Sequence, residues 1–178
     1  MEKDAVDLLR RLGADTIEHP GGTLLAHLRR VADLLGDWGA RPALRLAGLC
    51  HACYGTDGFG AALLPVTRRD ELASVIGADA ERLVYFYGSC DRKASYPGLT
   101  DADGIFRDRF TGAEFRPGAQ QRRDFAELTV ANEIDVLRNS EELREKFGSE
   151  LLALFSRLRP LLSDAALREC EFGGQPTG

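Results

Sequence analysis

Apolar residues recur every three or four positions through most of this chain, and that spacing constrains its fold more than any other feature. A clear example is the series Leu24, Leu28, Val31 and Leu35. Such spacing places the side chains on one face of a helix, where they can pack against a shared core. The pattern therefore predicts an all-α protein built as a bundle of amphipathic helices.

Capping and helix-breaking residues set the limits of the predicted helices. Gly13 and Gly39 end the first two helices, Thr23 caps the second, and Pro42 suits the first turn of the third, which ends near His51. The segment 17–22 contains one proline and two glycines and is predicted to be a loop. The other predicted helices span residues 3–12, 69–76, 79–87, 121–138, 141–147, 149–158 and 164–170.

One segment departs from the helical pattern. Residues 105–110 and 113–116 flank Thr111-Gly112, and this arrangement predicts a short β-hairpin insertion. No internal repeat and no interdomain linker interrupts the 178-residue chain, so one domain over residues 1–172 is predicted. Residues 173–178 are rich in glycine and are predicted to form a disordered tail.

Charge and hydropathy restrict the partners we expect. The net charge is -5, which gives no general attraction to phosphate backbones, so nucleic acid is not expected as a partner. No apolar run is long enough to span a bilayer, and no membrane partner is expected. The N-terminus lacks the basic start and apolar run of a signal peptide, so we expect a cytoplasmic protein whose four cysteines are reduced.

All three histidines lie in one short stretch, at His19, His27 and His51. His19 is in the glycine-rich loop, His27 lies on the apolar face of the second helix, and His51 ends the third. Neutral imidazoles bind divalent transition metals, so the cluster predicts a site for Zn, Fe, Ni or Mn with these three side chains as ligands. The alternative is that each is a buried polar group with an ordinary hydrogen-bond partner.

The order of these residues resembles the HD superfamily of helical metalloproteins. That superfamily has a His on one helix, a His-Asp pair that ends a later helix after a run of small apolar residues, and an Asp on a further helix. His27, the run 47–52 that contains His51, and Asn132 within 128–133 resemble these three elements. The resemblance implies an HD-domain-like helical bundle.

Three stretches together, 19–25, 51–56 and 131–132, resemble an uncharacterised bacterial family of HD-like proteins. In this family an H-x-x-Y-G-T motif, here His51 to Thr56, replaces the His-Asp pair. The resemblance covers residues from about 12 to 165.

Two positions depart from the HD pattern. Ala52 stands where HD hydrolases carry the metal-binding Asp, and Asn132 replaces the last Asp. HD hydrolases need carboxylates to balance the cation's charge and to help generate hydroxide. Three neutral imidazoles can still hold a divalent ion. A further ligand can come from one of four acidic residues: Glu18, Asp57, Asp124 or Glu127.

The resemblance implies a metal-dependent enzyme that acts on a small-molecule substrate, with hydrolysis as the first reaction class. A non-haem iron oxygenase on the same fold is one alternative. A metal-free binding or accessory module on a degenerate HD scaffold is another, since fold does not carry activity with it.

Further residues complete the predicted site. Tyr54 and Thr56 either line the pocket or shape the turn after His51. Arg92 either binds an anionic substrate group or pairs with Asp91 or Glu127. The predicted catalytic residues are His19, His51, Tyr54 and Arg92, and the predicted substrate-binding residues are Thr56, Asn132 and Glu127.

Two other sequence features carry weaker indications. Cys50 and Cys53 form a C-x-x-C pair, but no second pair and no βαβ context accompany it, so we expect Cys50 to pack in the core. The segment 149–162 is rich in leucine, which indicates either a core role or a surface for a partner such as a second copy of the chain in a homodimer.

Overall fold

The computed structural model describes residues 1–172, and within that range the chain forms nine α-helices and two small antiparallel hairpins. The helices are α1 (Glu2–Arg11), α2 (Leu24–Asp37), α3 (Pro42–Cys50), α4 (Arg69–Ile76), α5 (Ala78–Gly88), α6 (Arg92–Ser95), α7 (Ala119–Asn139), α8 (Glu141–Leu158) and α9 (Asp164–Phe172). The strands are β1 (Glu18–His19), β2 (Gly22–Thr23), β3 (Phe106–Arg107) and β4 (Glu114–Phe115). The mostly helical fold predicted from the apolar spacing is confirmed.

Helix ends follow the predicted signals at several positions. The Thr23 side chain accepts a hydrogen bond from the backbone N–H of Ala26 and caps α2. Gly39 adopts a φ of 77° just after α2, and Pro42 is the first residue of α3. These residues fix where α2 ends and α3 begins, and therefore where His27 and His51 lie.

Three local predictions differ from the structure. The segment 17–22 was expected as a loop, but Glu18 and His19 pair with Thr23 and Gly22 as a tight hairpin, because Gly21 supplies a φ of 77° at the turn. Residues 141–158 form one helix rather than two, since a single glycine, Gly148, lowers helix stability by only about 1 kcal/mol. The short helix α6 has no periodic signal and was not predicted.

The pair α2 and α3 forms the centre of the bundle. Their close approach depends on Gly48, where an added Cβ would lie 2.5 Å from Leu35 Cδ1. The surrounding side chains, including Leu28, Val31 and Leu49, are buried. α7 packs against α2 on one side and α8 on the other, so it connects the centre to the C-terminal helices.

The predicted hairpin at residues 105–116 is present with shorter strands. Phe106 pairs with Phe115 and Arg107 with Glu114. Asp108 holds the connecting loop, because its carboxylate accepts hydrogen bonds from the backbone N–H groups of Phe110 and Thr111 and from the Tyr85 hydroxyl.

No helix within residues 1–172 is long and apolar enough to cross a membrane. The tail predicted at residues 173–178 lies outside the described residues.

Candidate functional site

A cavity of about 440 Å³ lies between α2, α7, α8 and the loop that follows α3. This volume is within the usual range of small-molecule sites. One part of its wall is polar and carries His19, His27, His51, Thr56, Arg92, Asn132 and Glu133. The rest of its wall is mainly apolar and includes Pro20, Leu24, Phe59, Val136, Leu143, Phe147 and Leu151.

His27 projects from α2 into this wall and is 1% exposed. Its Nδ1 lies 2.7 Å from Asp135 Oδ2. Burial raises the pKa of Asp135, but hydrogen bonds from His27 and Arg30 outweigh burial and lower that pKa below its ordinary value. An ionised carboxylate can only accept, so Nδ1–H of His27 donates to it. In the neutral ring, Nε2 therefore carries the lone pair.

His51 is held in the same tautomer by a different partner. It follows the last turn of α3, and its Nδ1–H donates to the carbonyl oxygen of Gly48 at 2.8 Å. Burial, followed by the nearby His27, lowers the pKa of His51 to about 3. The ring is therefore neutral near pH 7, and its Nε2 carries a lone pair.

His19 lies on β1 and stacks on His27, with 4.0 Å between the ring centroids. Burial and the neighbouring His27 lower the pKa of His19 to about 4. Its Nδ1 is buried and has no hydrogen-bond partner within residues 1–172. Unsatisfied buried nitrogens are uncommon in folded proteins, and this one lies in the histidine cluster.

Asn132, on α7, faces His27. Its Oδ1 lies 3.1 Å from His27 Nε2, so the two atoms share a hydrogen bond when Nε2 carries a proton and two lone pairs meet when it does not. The Asn132 Nδ2 donates to Glu133 Oε1 at 3.2 Å, which fixes the orientation of the amide. The contact between Asn132 and His27 is repulsive unless a proton or a cation balances it.

Behind the three histidines, Arg30 and Asp135 form a second layer of charged side chains. Arg30 donates to both carboxylate oxygens of Asp135, at 2.6 Å and 3.0 Å. The same guanidinium donates to the carbonyl oxygens of Pro20 and Gly21, in the turn of the first hairpin. Arg30 therefore contacts both the β1–β2 hairpin, which carries His19, and the Asp135 carboxylate, which orients His27.

Six of the residues predicted from sequence line this cavity. They are His19, His27, His51, Thr56, Arg92 and Asn132. Tyr54 does not line it, because its hydroxyl donates to the buried carboxylate of Glu81 at 2.9 Å. Glu127 lines a separate, smaller cavity and accepts a hydrogen bond from the backbone N–H of Ser163.

The four acidic residues predicted as possible further metal ligands do not gather at the histidines. Glu18 lies at the exposed edge of the cavity. Asp57 accepts a hydrogen bond from the backbone N–H of Arg92, and Asp124 pairs with Arg41 at 2.6 Å. Within residues 1–172 no group of three or more His, Cys, Asp and Glu side chains is arranged to hold a metal ion.

Sequence reasoning missed three charged residues of the site: Arg30, Glu133 and Asp135. Arg30 is one of two adjacent arginines on α2, and the two acids lie on a helix with many charged residues. The sequence held one indication of Asp135. It lies three residues after Asn132, so both side chains share the face of α7 that packs on α2.

Cys50 and Cys53 belong to the core rather than to the cavity. Both are buried free thiols. A hydrogen bond with Cys53 and burial raise the pKa of Cys50, which keeps its thiol protonated and unreactive.

Comparison with known proteins gives one similarity. Residues 8–92 match the model of a family described as a domain of unknown function (DUF6817). This segment contains all three histidines, Thr56 and Arg92, whereas Asn132 and Asp135 come from α7, beyond it. No curated protein and no solved structure matches the chain.

Proposed function

We propose that this chain is an HD-like, metal-dependent enzyme that hydrolyses a small molecule in the histidine cavity. The observation that carries the proposal is the contact between His27 Nε2 and Asn132 Oδ1, 3.1 Å apart, where a neutral His27 would present its lone pair to the amide oxygen. Two neighbouring ligand atoms of one cation, each about 2.0–2.1 Å from it, lie about this far apart. The order of the three elements, His27 on α2, His51 after α3 and Asn132 on α7, supports the HD-like assignment.

We infer that a divalent transition metal would be held by the nitrogen and oxygen donors of this wall. His27 and His51 each donate a hydrogen bond through Nδ1, which leaves Nε2 as the ligand atom, and this is the usual second-layer pattern around metal-bound histidines. Asn132 would supply an oxygen ligand, and His19, which stacks on His27, is the nearest further nitrogen donor. When bound, the metal would polarise the scissile bond and lower the pKa of a bound water.

This ligand set contains no carboxylate, in contrast to the HD pattern. The negative charge lies one layer further out, where Asp135 accepts from His27 and Glu133 accepts from Asn132. Charge at that distance balances a cation less strongly than a direct carboxylate ligand does. We therefore infer weaker metal binding than in a site with a His-Asp pair.

The chain's own residues have distinct roles in the proposed reaction. Water's oxygen forms a bond to the phosphorus or carbonyl carbon, the bond to the leaving oxygen breaks, and the leaving oxygen takes up the proton that water loses. Arg92 lies in the cavity wall as the positive group for an anionic substrate. The Thr56 hydroxyl also lines the wall and can donate a hydrogen bond to the substrate.

A metal-free binding module is the second candidate. It is favoured by the finding that residues 1–172 hold no group of three His, Cys, Asp and Glu side chains placed for a metal. In that case a proton would occupy His27 Nε2, and the imidazolium would lie between Asp135 and Asn132. The cavity would then bind its ligand and catalyse no reaction of it.

Metal content tests the proposal. Purified, tag-free protein is examined by elemental mass spectrometry after reconstitution, beside the His27→Gln, His51→Gln and Asn132→Leu variants. We expect near-stoichiometric metal that each variant loses. Asp124→Asn is the matched control, because it alters a buried carboxylate on the same helix, outside the cavity.

The Asn132→Asp variant sharpens this test. A carboxylate at that position adds negative charge beside the cation, so metal affinity is expected to rise above that of the wild-type chain. Bound zinc, nickel or manganese would support the hydrolase. Iron with oxygen consumption would replace it with the oxygenase, and absence of metal after reconstitution would leave the binding module.

A further inference from the structure

The guanidinium of Arg92 is held in the cavity wall with few partners of its own. Its side chain is 26% exposed, and its one ion pair within residues 1–172 is with Glu133, at 3.5 Å from Arg92 Nη1 to Glu133 Oε1. This distance exceeds that of a normal charge-assisted hydrogen bond. A guanidinium has five N–H donors, so most of its donors are available to a ligand.

The loop after α3 positions the start of α6 and lies against this guanidinium. Asp57 accepts a hydrogen bond from the Arg92 backbone N–H at 2.9 Å, which joins the loop after α3 to the start of α6. In the same loop a Cβ on Gly58 would lie 3.1 Å from Arg92 Nη1. Gly58 therefore lies directly beside the guanidinium, and a side chain there would shift it by a few tenths of an ångström.

A continuous line of polar contacts joins Arg92 to the histidines. Glu133 Oε1 contacts Arg92 Nη1 and accepts from Asn132 Nδ2, and Asn132 Oδ1 faces His27 Nε2. An anionic group bound by Arg92 would therefore lie beside the histidine cluster, only an amide and a carboxylate away from it.

Beyond this polar end, α8 provides an apolar wall. Leu143, Phe147 and Leu151 lie at helical spacing and all line the cavity. Phe147 remains 37% exposed. A single charged head group would leave this part of the cavity without contact.

We propose that the cavity binds an amphiphilic anion, an organic phosphate or carboxylate whose charged group pairs with Arg92 and whose aromatic or aliphatic body packs against α8. As a statement of substrate class it rests on the proposed function, although binding itself needs no metal. Glu18 and Glu150, at the edge of the cavity, are exposed, so water and salt screen their charges.

Calorimetric titration with three matched probes tests this binding mode. The probes are 1-naphthylmethylphosphonate, which has both parts and a C–P bond that resists hydrolysis, methylphosphonate, which has only the head, and 1-naphthylmethanol, which has only the body. Chelator-treated protein is used, so that no metal contributes. We expect the complete probe to bind at least about tenfold more tightly than either part.

Two variants separate the two ends of the site. Arg92→Gln should weaken the complete probe about tenfold or more and leave 1-naphthylmethanol unchanged. Phe147→Ala should weaken the complete probe and 1-naphthylmethanol and spare methylphosphonate. Leu152→Ala is the control for α8, because Leu152 is 43% exposed and does not line the cavity.

Equal binding of the complete probe by wild type and Arg92→Gln would overturn the proposal, as would equal binding by wild type and Phe147→Ala. These results are independent of the metal measurement. A chain that binds the probe as expected but holds no metal would keep the amphiphile site and lose the hydrolase. A chain that holds metal but binds the complete probe equally well after Arg92→Gln would keep the hydrolase and lose the amphiphile site.

Discussion

At the scale of single residues, the carboxylate of Asp135 determines which nitrogen of His27 is available to the cavity. It is 2% exposed and accepts from both His27 and Arg30. A buried carboxylate with two donors is ionised, and an ionised acceptor fixes the proton on Nδ1. The nitrogen that a neutral His27 presents to the cavity therefore depends on a residue that does not line it.

We expect Asp135→Asn to weaken metal binding about 10- to 100-fold, because His27 loses the partner that orients its ring. The free energy of unfolding should also fall by about 3 kcal/mol, since one member of a buried ion pair is removed. Metal competition with a chelator and denaturant titration measure the two effects. Asp124→Asn should lose stability but keep its metal affinity, and an equal loss of metal in both variants would contradict the role of Asp135.

The lowered pKa values of His19 and His51 predict acid sensitivity in the metal-free protein. Unfolded histidine titrates near pH 6.5, whereas the folded values are about 4 and about 3, so the unfolded state binds more protons between these limits. Stability should therefore be complete above pH 6.5 and fall as the pH is lowered, by up to about 1.4 kcal/mol per pH unit from His51. Urea titrations at several pH values measure this slope. His51→Gln should have a shallower slope, and an unchanged one would contradict the assignment.

The residues that line the polar wall of the cavity were predictable from the sequence, and the charged residues that contact them were not. The three histidines and Asn132 stood out because their order resembles a known pattern and because histidine is rare here. Asp135 and Glu133 did not, since acids on an amphipathic helix are usually solvated. Only the packing of α7 on α2 distinguishes them from the exposed acids of the same helix.

At the scale of elements, the short hairpin β1–β2 positions His19 against α2. Its turn depends on Gly21, where a Cβ would lie 2.4 Å from Asn139 Oδ1. The amide of Asn139 cannot move freely, because its Nδ2 donates to the backbone oxygen and the carboxylate of Asp135. The turn is therefore packed against the second layer of the site.

Gly21→Ala is expected to destabilise the chain by about 2 kcal/mol or more, through backbone strain at positive φ and through displacement of Asn139. Gly39→Ala is the matched control, because Gly39 has the same φ of 77° but no atom within 4 Å of an added Cβ. It should cost about 1 kcal/mol from backbone strain alone. Denaturant titration compares the two variants, and equal losses would contradict the packing argument.

Helices with a long apolar periodicity were predicted correctly, whereas elements set by the backbone geometry of a few residues were not. The helices α2, α4 and α7 have several turns of apolar spacing, and their positions were predicted to within about two residues. The two-residue strands β1 and β2 have no such period, and the positive φ values of Gly21 and Gly22 allow the turn that pairs them. The four residues of α6 are likewise too few for a pattern.

At the scale of the whole molecule, a second buried network joins elements through residues that do not line the cavity. Glu81 on α5 accepts two hydrogen bonds from Arg69 on α4 and one from Tyr54, which follows α3. Arg69 also lies 3.7 Å above the ring of Tyr85, whose hydroxyl donates to Asp108 in the β3–β4 loop. This network accounts for the burial of Tyr54 outside the cavity.

We expect Glu81→Ala to lower the free energy of unfolding by about 3 kcal/mol, because a 4% exposed carboxylate with three donors is lost. Asp79→Ala removes an exposed ion pair on the same helix and should cost less than about 1 kcal/mol. Thermal and denaturant unfolding of both variants measure the difference. A loss for Glu81→Ala no larger than that for Asp79→Ala would show that the network contributes little.

The division of the cavity between distant parts of the chain has a consequence for the order in which the protein is made. The histidines and Arg92 are translated first, and Asn132, Glu133 and Asp135 follow only with α7. The helices that carry His27 and His51 leave the ribosome before the partners of His27 exist, and domains generally fold as units. A nascent chain that ended before α7 would leave His27 without its carboxylate, so the site is completed late in translation, when α7 docks on α2.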